Sequence, residues 1–235
     1  MRCKWICLPL LIILSGCSHH RTVQVPNEAD SKRSREIAFE EALKKSRQRI
    51  KIVIDAGHGG EDFGCHSQSG TKLHEKHLTL TLANMVERYL NYQGYTIVMT
   101  RTDDTFIPLK KRSQIANDDK VDLFVSVHFN SASNKKAEGI EVFYYKTEQS
   151  SKRSERSKEI ATLVLDQLIV HTQAKSRGVK HGNFSVIRET KMPAILVEAG
   201  FLTNEAEMEK IRNTSYMQNL AQAIAKGVHE YLLSS

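Results

Sequence analysis

The sequence predicts a single α/β domain, built on a mainly parallel, twisted sheet of about six strands with helices on both faces. Its length of 235 residues suits one domain with an appendage. Apolar residues make up 40% of the chain and charged residues 26%, which supplies a packed core and excludes wholesale disorder. Short β-branched runs alternate with amphipathic stretches, as expected of a parallel sheet covered on both faces.

The predicted elements alternate from residue 50 onward. The first strand is a β-branched run that ends at Gly57, and the first helix has apolar residues at i, i+3, i+4, i+7 and i+8 before Gly94 stops it. A short helix is expected after Pro108, because proline suits a first helical turn. In chain order, the predicted strands are 50–55, 95–100, 121–127, 139–145, 184–187 and 194–197, and the predicted helices are 82–90, 107–116, 160–168 and 220–231.

The first residues have the pattern of an export signal. A short basic segment, residues 1–4, precedes an apolar run over 5–14, which is shorter than the roughly 20 residues that span a bilayer. The run ends in Leu-Ser-Gly-Cys, which resembles the lipobox of bacterial lipoproteins, in which the cysteine becomes the lipidated first residue. We therefore expect a lipoprotein signal peptide over 1–16, a membrane anchor at Cys17, a tether with a possible short helix over 17–48, and the main folded domain over 49–235.

The formal charge of +7 favours an acidic polymer as partner, such as nucleic acid, anionic lipid or an anionic cell-wall glycan. An export signal and the lack of a nucleic-acid motif argue against nucleic acid. Of the four cysteines, Cys3 and Cys7 would leave with the signal and Cys17 would carry lipid. Only Cys65 would remain as a free thiol, which rules out an intramolecular disulfide in the mature chain.

Polar residues follow three predicted strands at their carboxyl ends, where ligands bind in open α/β sheets. His58 follows the first strand, His128 ends the third and Glu198 follows the last, while Glu75 opens the first long helix. Two imidazoles and one carboxylate are the ligand set of a catalytic zinc site that keeps its fourth position for water. A second carboxylate could then act as general base. On spacing alone, two other residues compete with Glu75 as ligand: His74 and His77.

A set of ordered motifs identifies a resemblance that covers residues 52 to about 231. The sequence resembles the zinc-dependent N-acetylmuramoyl-L-alanine amidase family, the amidase-3 type of cell-wall hydrolase. The motifs are Asp-Ala-Gly-His-Gly-Gly at 55–60, Glu75, Thr-Arg-Thr-Asp at 100–103, Arg112 with Ala-Asn at 116–117, Ser-Val-His-Phe-Asn at 126–130, Gly-Ile-Glu-Val at 139–142, Arg-Gly-Val-Lys at 177–180, Phe-Ser-Val-Ile at 184–187, and the run from Pro193 to Asn204.

The resemblance implies that His58, Glu75 and His128 bind zinc and that Glu198 is the catalytic carboxylate. It also implies the reaction, hydrolysis of the amide between N-acetylmuramic acid and L-alanine of the peptidoglycan stem peptide. Zinc would polarise the carbonyl while Glu198 activates the water. Three further residues are candidate substrate contacts: Arg177 and Lys180 for the stem-peptide carboxylates, with surface salt bridges as the alternative, and Asn130, with turn capping as the alternative.

The chain also departs from some members of the family. Residues 145–177 leave room for about one ordinary helix, so the long insertion that covers the zinc in those members is not expected here. We therefore expect an accessible site, with an activator protein possible but not required. The expected location is the cell envelope, on the periplasmic side of the outer membrane.

Two other functions stay open at this point. One is a zinc peptidase or carboxypeptidase that cuts within the stem peptide, because zinc, water and a carboxylate serve either amide. The other is a non-catalytic peptidoglycan-binding lipoprotein, against which the presence of all three ligands and Glu198 argues.

Overall fold

The computed structural model describes residues 28–67, 72–118 and 121–234. The predicted signal peptide and the lipobox cysteine lie outside these ranges. Of the described residues, those from 40 onward form one compact unit that holds all six described strands, and residues 28–39 belong to a separate unit. The boundary falls within the first helix, α1 (Glu28–Arg47). Among the described residues, no helix is long and apolar enough to cross a membrane.

The six-stranded sheet predicted from the sequence is confirmed. Its strands are β1 (Lys51–Ala56), β2 (Thr96–Met99), β3 (Leu123–Asn130), β4 (Ile140–Tyr144), β5 (Ser176–His181) and β6 (Ala194–Phe201). They lie side by side in the order β2-β1-β3-β6-β4-β5. Neighbouring strands are parallel except for β4 and β6, which run in opposite directions. The carboxyl ends of β1, β3 and β6 therefore meet at one edge of the sheet.

Helices cover both faces of the sheet, as predicted. They are α2 (Glu75–Tyr92), α3 (Leu109–Asp118), α4 (Ser151–Thr172), α5 (Ser185–Arg188), α6 (Glu205–Arg212) and α7 (Thr214–Ser234), with a 3₁₀ turn at Glu148–Ser150. Side chains alternate across a strand, so Ile52 and Ile54 of β1 pack with α2, α4 and α7, whereas Val53 packs with α3 and α5. The face under α3 and α5 is the one that carries the candidate site.

One of the predicted strands is wrong. The sequence predicts a strand over 184–187, but Phe184 occupies the N-cap position of the short helix α5, which begins at Ser185. The sixth strand is instead β5, at the end of the sheet, with the sequence Ser-Arg-Gly-Val-Lys-His. Polar and charged residues are common in edge strands, where they discourage pairing with other chains, so an apolar pattern could not reveal it.

Candidate metal centre and active site

Three of the predicted side chains converge at the edge where β1 and β3 end. Glu75 Oε1 lies 3.0 Å from His58 Nε2 and 3.0 Å from His128 Nδ1. One ligand atom from each residue lies within 4.8 Å of those of the other two. Within the described residues, His74 and His77 belong to no such cluster. The structure therefore brings Glu75, and not its histidine neighbours, together with His58 and His128.

The spacing and chemistry of these three groups fit a zinc ion. Tetrahedral ligands about 2.1 Å from zinc stand roughly 3.4 Å apart, close to the observed separations. Burial on its own would raise the pKa of Glu75, but the hydrogen bonds and charges of His128 and His58 hold that pKa well below its usual range. Glu75 is therefore an anion here, and the cluster offers one carboxylate and two imidazoles to a dication.

Two glycines leave the space that these side chains occupy. A Cβ on Gly57 would stand 2.2 Å from His128 Cε1, and a Cβ on Gly64 would stand 2.6 Å from Glu75 Oε2. His58 itself has a backbone φ of 62°, in the left-handed region that few non-glycine residues adopt. Such strain persists where surrounding contacts hold the backbone in place, often at functional sites. The loop after β1 is thus shaped around the ligand cluster.

Replacing Gly57 with alanine should weaken zinc binding about 10- to 100-fold, the loss typical when the support of a ligand is disturbed. The added methyl group would displace the His128 ring, since the two cannot share the same space. Competition with a coloured chelator would measure the affinity. The same change at Gly178 also strains the backbone, at a φ of 86°, but an added Cβ there meets nothing within 4 Å, so the zinc affinity should stay unchanged. Equal affinities in the Gly57 variant and the wild type would contradict this account.

Buried arginines hold the loop that carries His58. The Arg112 guanidinium donates to Asp55 Oδ1 at 2.8 Å, to the Ala56 carbonyl at 2.6 Å and to the His58 carbonyl at 2.6 Å. Arg101 donates to the Ala56 and Gly57 carbonyls at 3.0 and 2.7 Å. Burial would raise the pKa of Asp55, but Arg112 and two neighbouring hydroxyls hold that pKa below its usual value. These contacts fix the backbone on which His58 stands.

Replacing Arg112 with methionine should lower the free energy of unfolding by about 3–5 kcal/mol, because it leaves the Asp55 carboxylate buried without its cation. Urea denaturation would measure the loss. The double variant Arg112→Met with Asp55→Asn removes both charges and should recover part of that stability. If the double variant lost the sum of the two single effects, the pair would not be coupled.

Glu198 lies beside this cluster without belonging to it. It pairs in register with His128 across β3 and β6, and its Oε2 is buried without a hydrogen-bond partner. Burial raises the pKa of Glu198 well above its usual value, and the negative charges of Glu75 and Glu141 raise it further. A buried carboxyl group that is free to accept or give a proton suits general acid–base chemistry.

The three candidate substrate contacts, Asn130, Arg177 and Lys180, surround the carboxylate of Glu141. Glu141 lies directly opposite Glu198 in the antiparallel pair β4–β6. It accepts from Asn130 Nδ2 at 2.6 Å and Arg177 Nε at 3.0 Å, and Lys180 Nζ also contacts it. Arg177 and Lys180 thus form ion pairs with Glu141, yet 32% and 41% of their side chains stay exposed. Their role in substrate binding stays a prediction.

Asp62 and Asp104 support the site but did not emerge from the sequence. Asp62 Oδ2 lies 2.9 Å from His58 Nδ1, the position of an outer partner that orients a metal-binding imidazole. Asp104 accepts from the Gly60 amide at 2.9 Å and from Lys76 Nζ at 2.7 Å, which ties the His58 loop to α2. The signal for Asp62 was its place four residues after His58 in a glycine-rich loop.

Comparison with known proteins covers most of the compact unit. The sequence profile of the N-acetylmuramoyl-L-alanine amidase family matches residues 52–230. The chain is 38% identical to Bacillus subtilis YqiI, over 77% of this chain and 84% of that protein. It is 36% identical to the B. subtilis N-acetylmuramoyl-L-alanine amidase LytC, over 77% of this chain but only 35% of LytC. The structure of an N-acetylmuramoyl-L-alanine amidase from Clostridium difficile superposes with a TM-score of 0.74 at 40% identity, covering 79% of this chain and 98% of that one.

Proposed function

The chain belongs to the N-acetylmuramoyl-L-alanine amidase family, and from this premise we propose that it is a zinc-dependent hydrolase of the amide between N-acetylmuramic acid and L-alanine in peptidoglycan. His58, Glu75 and His128 would hold the zinc. One observation carries the proposal: two imidazoles and a carboxylate stand at 3.0 Å contacts beside Glu198, whose buried Oε2 has no partner. A purely structural cluster would not need a second, unpaired carboxyl group at its rim.

Bound zinc would act as a Lewis acid on the scissile carbonyl. Glu198 would accept a proton from the attacking water and deliver it to the leaving amine of L-alanine. Arg177 and Lys180 would contact carboxylates of the stem peptide with their exposed parts, while Glu141 keeps them in place. Asn130 would be held in the site through its hydrogen bond to Glu141.

We propose further that the protein is exported and lipid-anchored through Cys17, on the periplasmic side of the outer membrane. The support is the order of basic segment, apolar run and Leu-Ser-Gly-Cys in the first 17 residues. An activator protein is not required by this proposal. The stretch between β4 and β5 is occupied mainly by α4, whose apolar residues pack into the core with α7 on the face opposite the site.

Mass spectrometry of digested muropeptides tests this function. Release of intact stem peptide, with L-alanine at its amino end, from the glycan is the expected result. A chelator should abolish that release, and added zinc should restore it. Shortened peptides that stay attached to the sugar would instead indicate a peptidase or carboxypeptidase within the stem peptide. Binding to peptidoglycan without any cleavage would indicate a non-catalytic wall-binding lipoprotein.

A further inference from the structure

A cavity of about 390 Å³ opens beside the imidazoles of His58 and His128, on the face of the sheet covered by α3 and α5. We call it the apolar pocket, and its apolar lining consists of Phe106, Ile107, Leu109, Phe184, Val186 and Leu196. Its volume lies within the range of about 300–1,000 Å³ that is usual for small-molecule sites. We propose that the apolar pocket binds the uncharged muramoyl sugar on the acyl side of the scissile amide. This proposal rests on the proposed function.

The two aromatic walls of the pocket are held in place and remain accessible. Phe184 packs edge-on against Phe143, with ring centroids 5.0 Å apart. A Cβ on Gly182 would stand 2.5 Å from the Phe184 ring, and a Cβ on Gly60 would stand 2.8 Å from the Phe106 amide. Phe106 and Phe184 are nevertheless 41% and 38% exposed. Aromatic surface that borders a cluster of candidate site residues and stays exposed is a feature of ligand sites.

The charged side chains that line the pocket already contact other side chains of the protein. Asp55 pairs with Arg112 at 2.8 Å, and Asp62 lies 2.9 Å from His58 Nδ1. The pocket therefore offers an apolar surface and no unpaired charge for a charged ligand. An anionic peptide would gain little there, because its carboxylates would lose water without gaining a cation.

Charge differs between the two sides of the metal-binding cluster. The floor of the pocket comes from β1, β3 and β6, through Asp55, His128 and Leu196 respectively. On the other side, the cations Arg177 and Lys180 of β5 contact Glu141 of β4 and keep 32% and 41% of their side chains exposed. That side therefore presents exposed cationic groups, which the apolar pocket does not.

The proposed substrate has the same asymmetry. Its muramoyl residue is uncharged once the lactyl carboxyl group is in the amide, and it presents an acetyl methyl, a lactyl methyl and the C–H face of the ring. The stem peptide beyond L-alanine carries carboxylates. Complementary charge favours one orientation over the other, so the sugar enters the apolar pocket and the peptide runs towards Arg177 and Lys180.

Isothermal titration calorimetry on the zinc-loaded chain tests this orientation with three probes. N-acetylmuramic acid carries the sugar, lactate carries the same carboxylate without the sugar, and the dipeptide L-Ala-D-Glu represents the stem. Phe106→Ala and Phe184→Ala should each bind N-acetylmuramic acid about 10-fold more weakly, the effect of losing one aromatic contact. Their affinities for lactate and the dipeptide should not change. Val170→Ala, which alters an exposed apolar residue on α4, is the matched control and should bind all three probes like the wild type.

Three results in either variant would overturn the sugar subsite. These are a loss of affinity for the dipeptide and not for the sugar, an equal loss of affinity for all three probes, and wild-type affinity for N-acetylmuramic acid. Unchanged lactate binding also shows that the variant is folded and holds its metal. The muropeptide assay separates this result from the proposed function. If the protein cleaves no amide but the two variants selectively lose sugar binding, the proposed function is wrong and the sugar subsite stands. If the protein cleaves the amide but the variants bind the sugar like the wild type, the sugar subsite is wrong and the proposed function stands.

Discussion

Glu198→Ala should lower kcat for muropeptide cleavage by about 10²- to 10⁴-fold, the range that general acid–base catalysis contributes. Zinc content should stay at the wild-type level, because Glu198 lies outside the group of three residues that share the ion site. Its buried Oε2 has no hydrogen bond to lose, so the change should affect turnover and leave the fold intact. Steady-state kinetics and metal analysis on the same preparation would separate these effects.

The matched control is Glu159→Gln, which neutralises an exposed carboxylate on α4. It should have wild-type kinetics. If Glu198→Ala kept a near-normal kcat, another group would have to be the base. Loss of zinc together with activity would instead make Glu198 a ligand, and the assigned roles would need to be redistributed.

His128→Ala should lose zinc as well as activity. Four ligands share an apparent binding free energy of about 10–16 kcal/mol in structural sites, so the loss of one ligand should weaken zinc binding about 10²- to 10³-fold. The imidazole that is removed lies 3.0 Å from Glu75 Oε1, and its absence leaves a carboxylate and a single imidazole. Metal analysis after dialysis against a weak chelator would detect the loss.

His77→Ala is the control for that experiment, because His77 is an exposed histidine two residues from Glu75 that lies outside the cluster. It should keep both zinc and activity. Zinc loss in the His77 variant, together with zinc retention in the His128 variant, would show that His77 is a ligand and that His128 is not.

The sheet was predictable because its central strands are short apolar runs with clear ends. β1, β3 and β6 are buried on both faces, so their sequences carry few polar residues until the chain leaves the sheet. Because the carboxyl ends of these apolar runs are clear in the sequence, the sequence also predicts that His58, His128 and Glu198 lie at one edge of the sheet. By contrast, β5 contains only one sizeable apolar residue, Val179, because it closes the end of the sheet.

Spacing in the sequence could not identify Glu75 as the site residue that joins His58, His128 and Glu198. Glu75, His74 and His77 lie within one turn of the same helix start, and the backbone direction at that point decides which side chain reaches the edge. The family resemblance favoured Glu75, and the 3.0 Å contacts agree with it. The supporting carboxylates Asp62 and Asp104 were missed because their partners lie on a loop whose path depends on positive φ angles at His58 and Gly59.

The reversed direction of β4 affects how this enzyme could diversify. Because β3 ends and β4 begins at the same edge, the connection over 131–139 starts and finishes next to Glu198 and Glu141. Insertions there would change the mouth of the site without disturbing a single strand pair. Insertions directly after β4 would emerge at the far end of the sheet. Engineers who wish to graft a new specificity loop, or to restrict the enzyme to one cell-wall architecture, should therefore begin with the 131–139 connection.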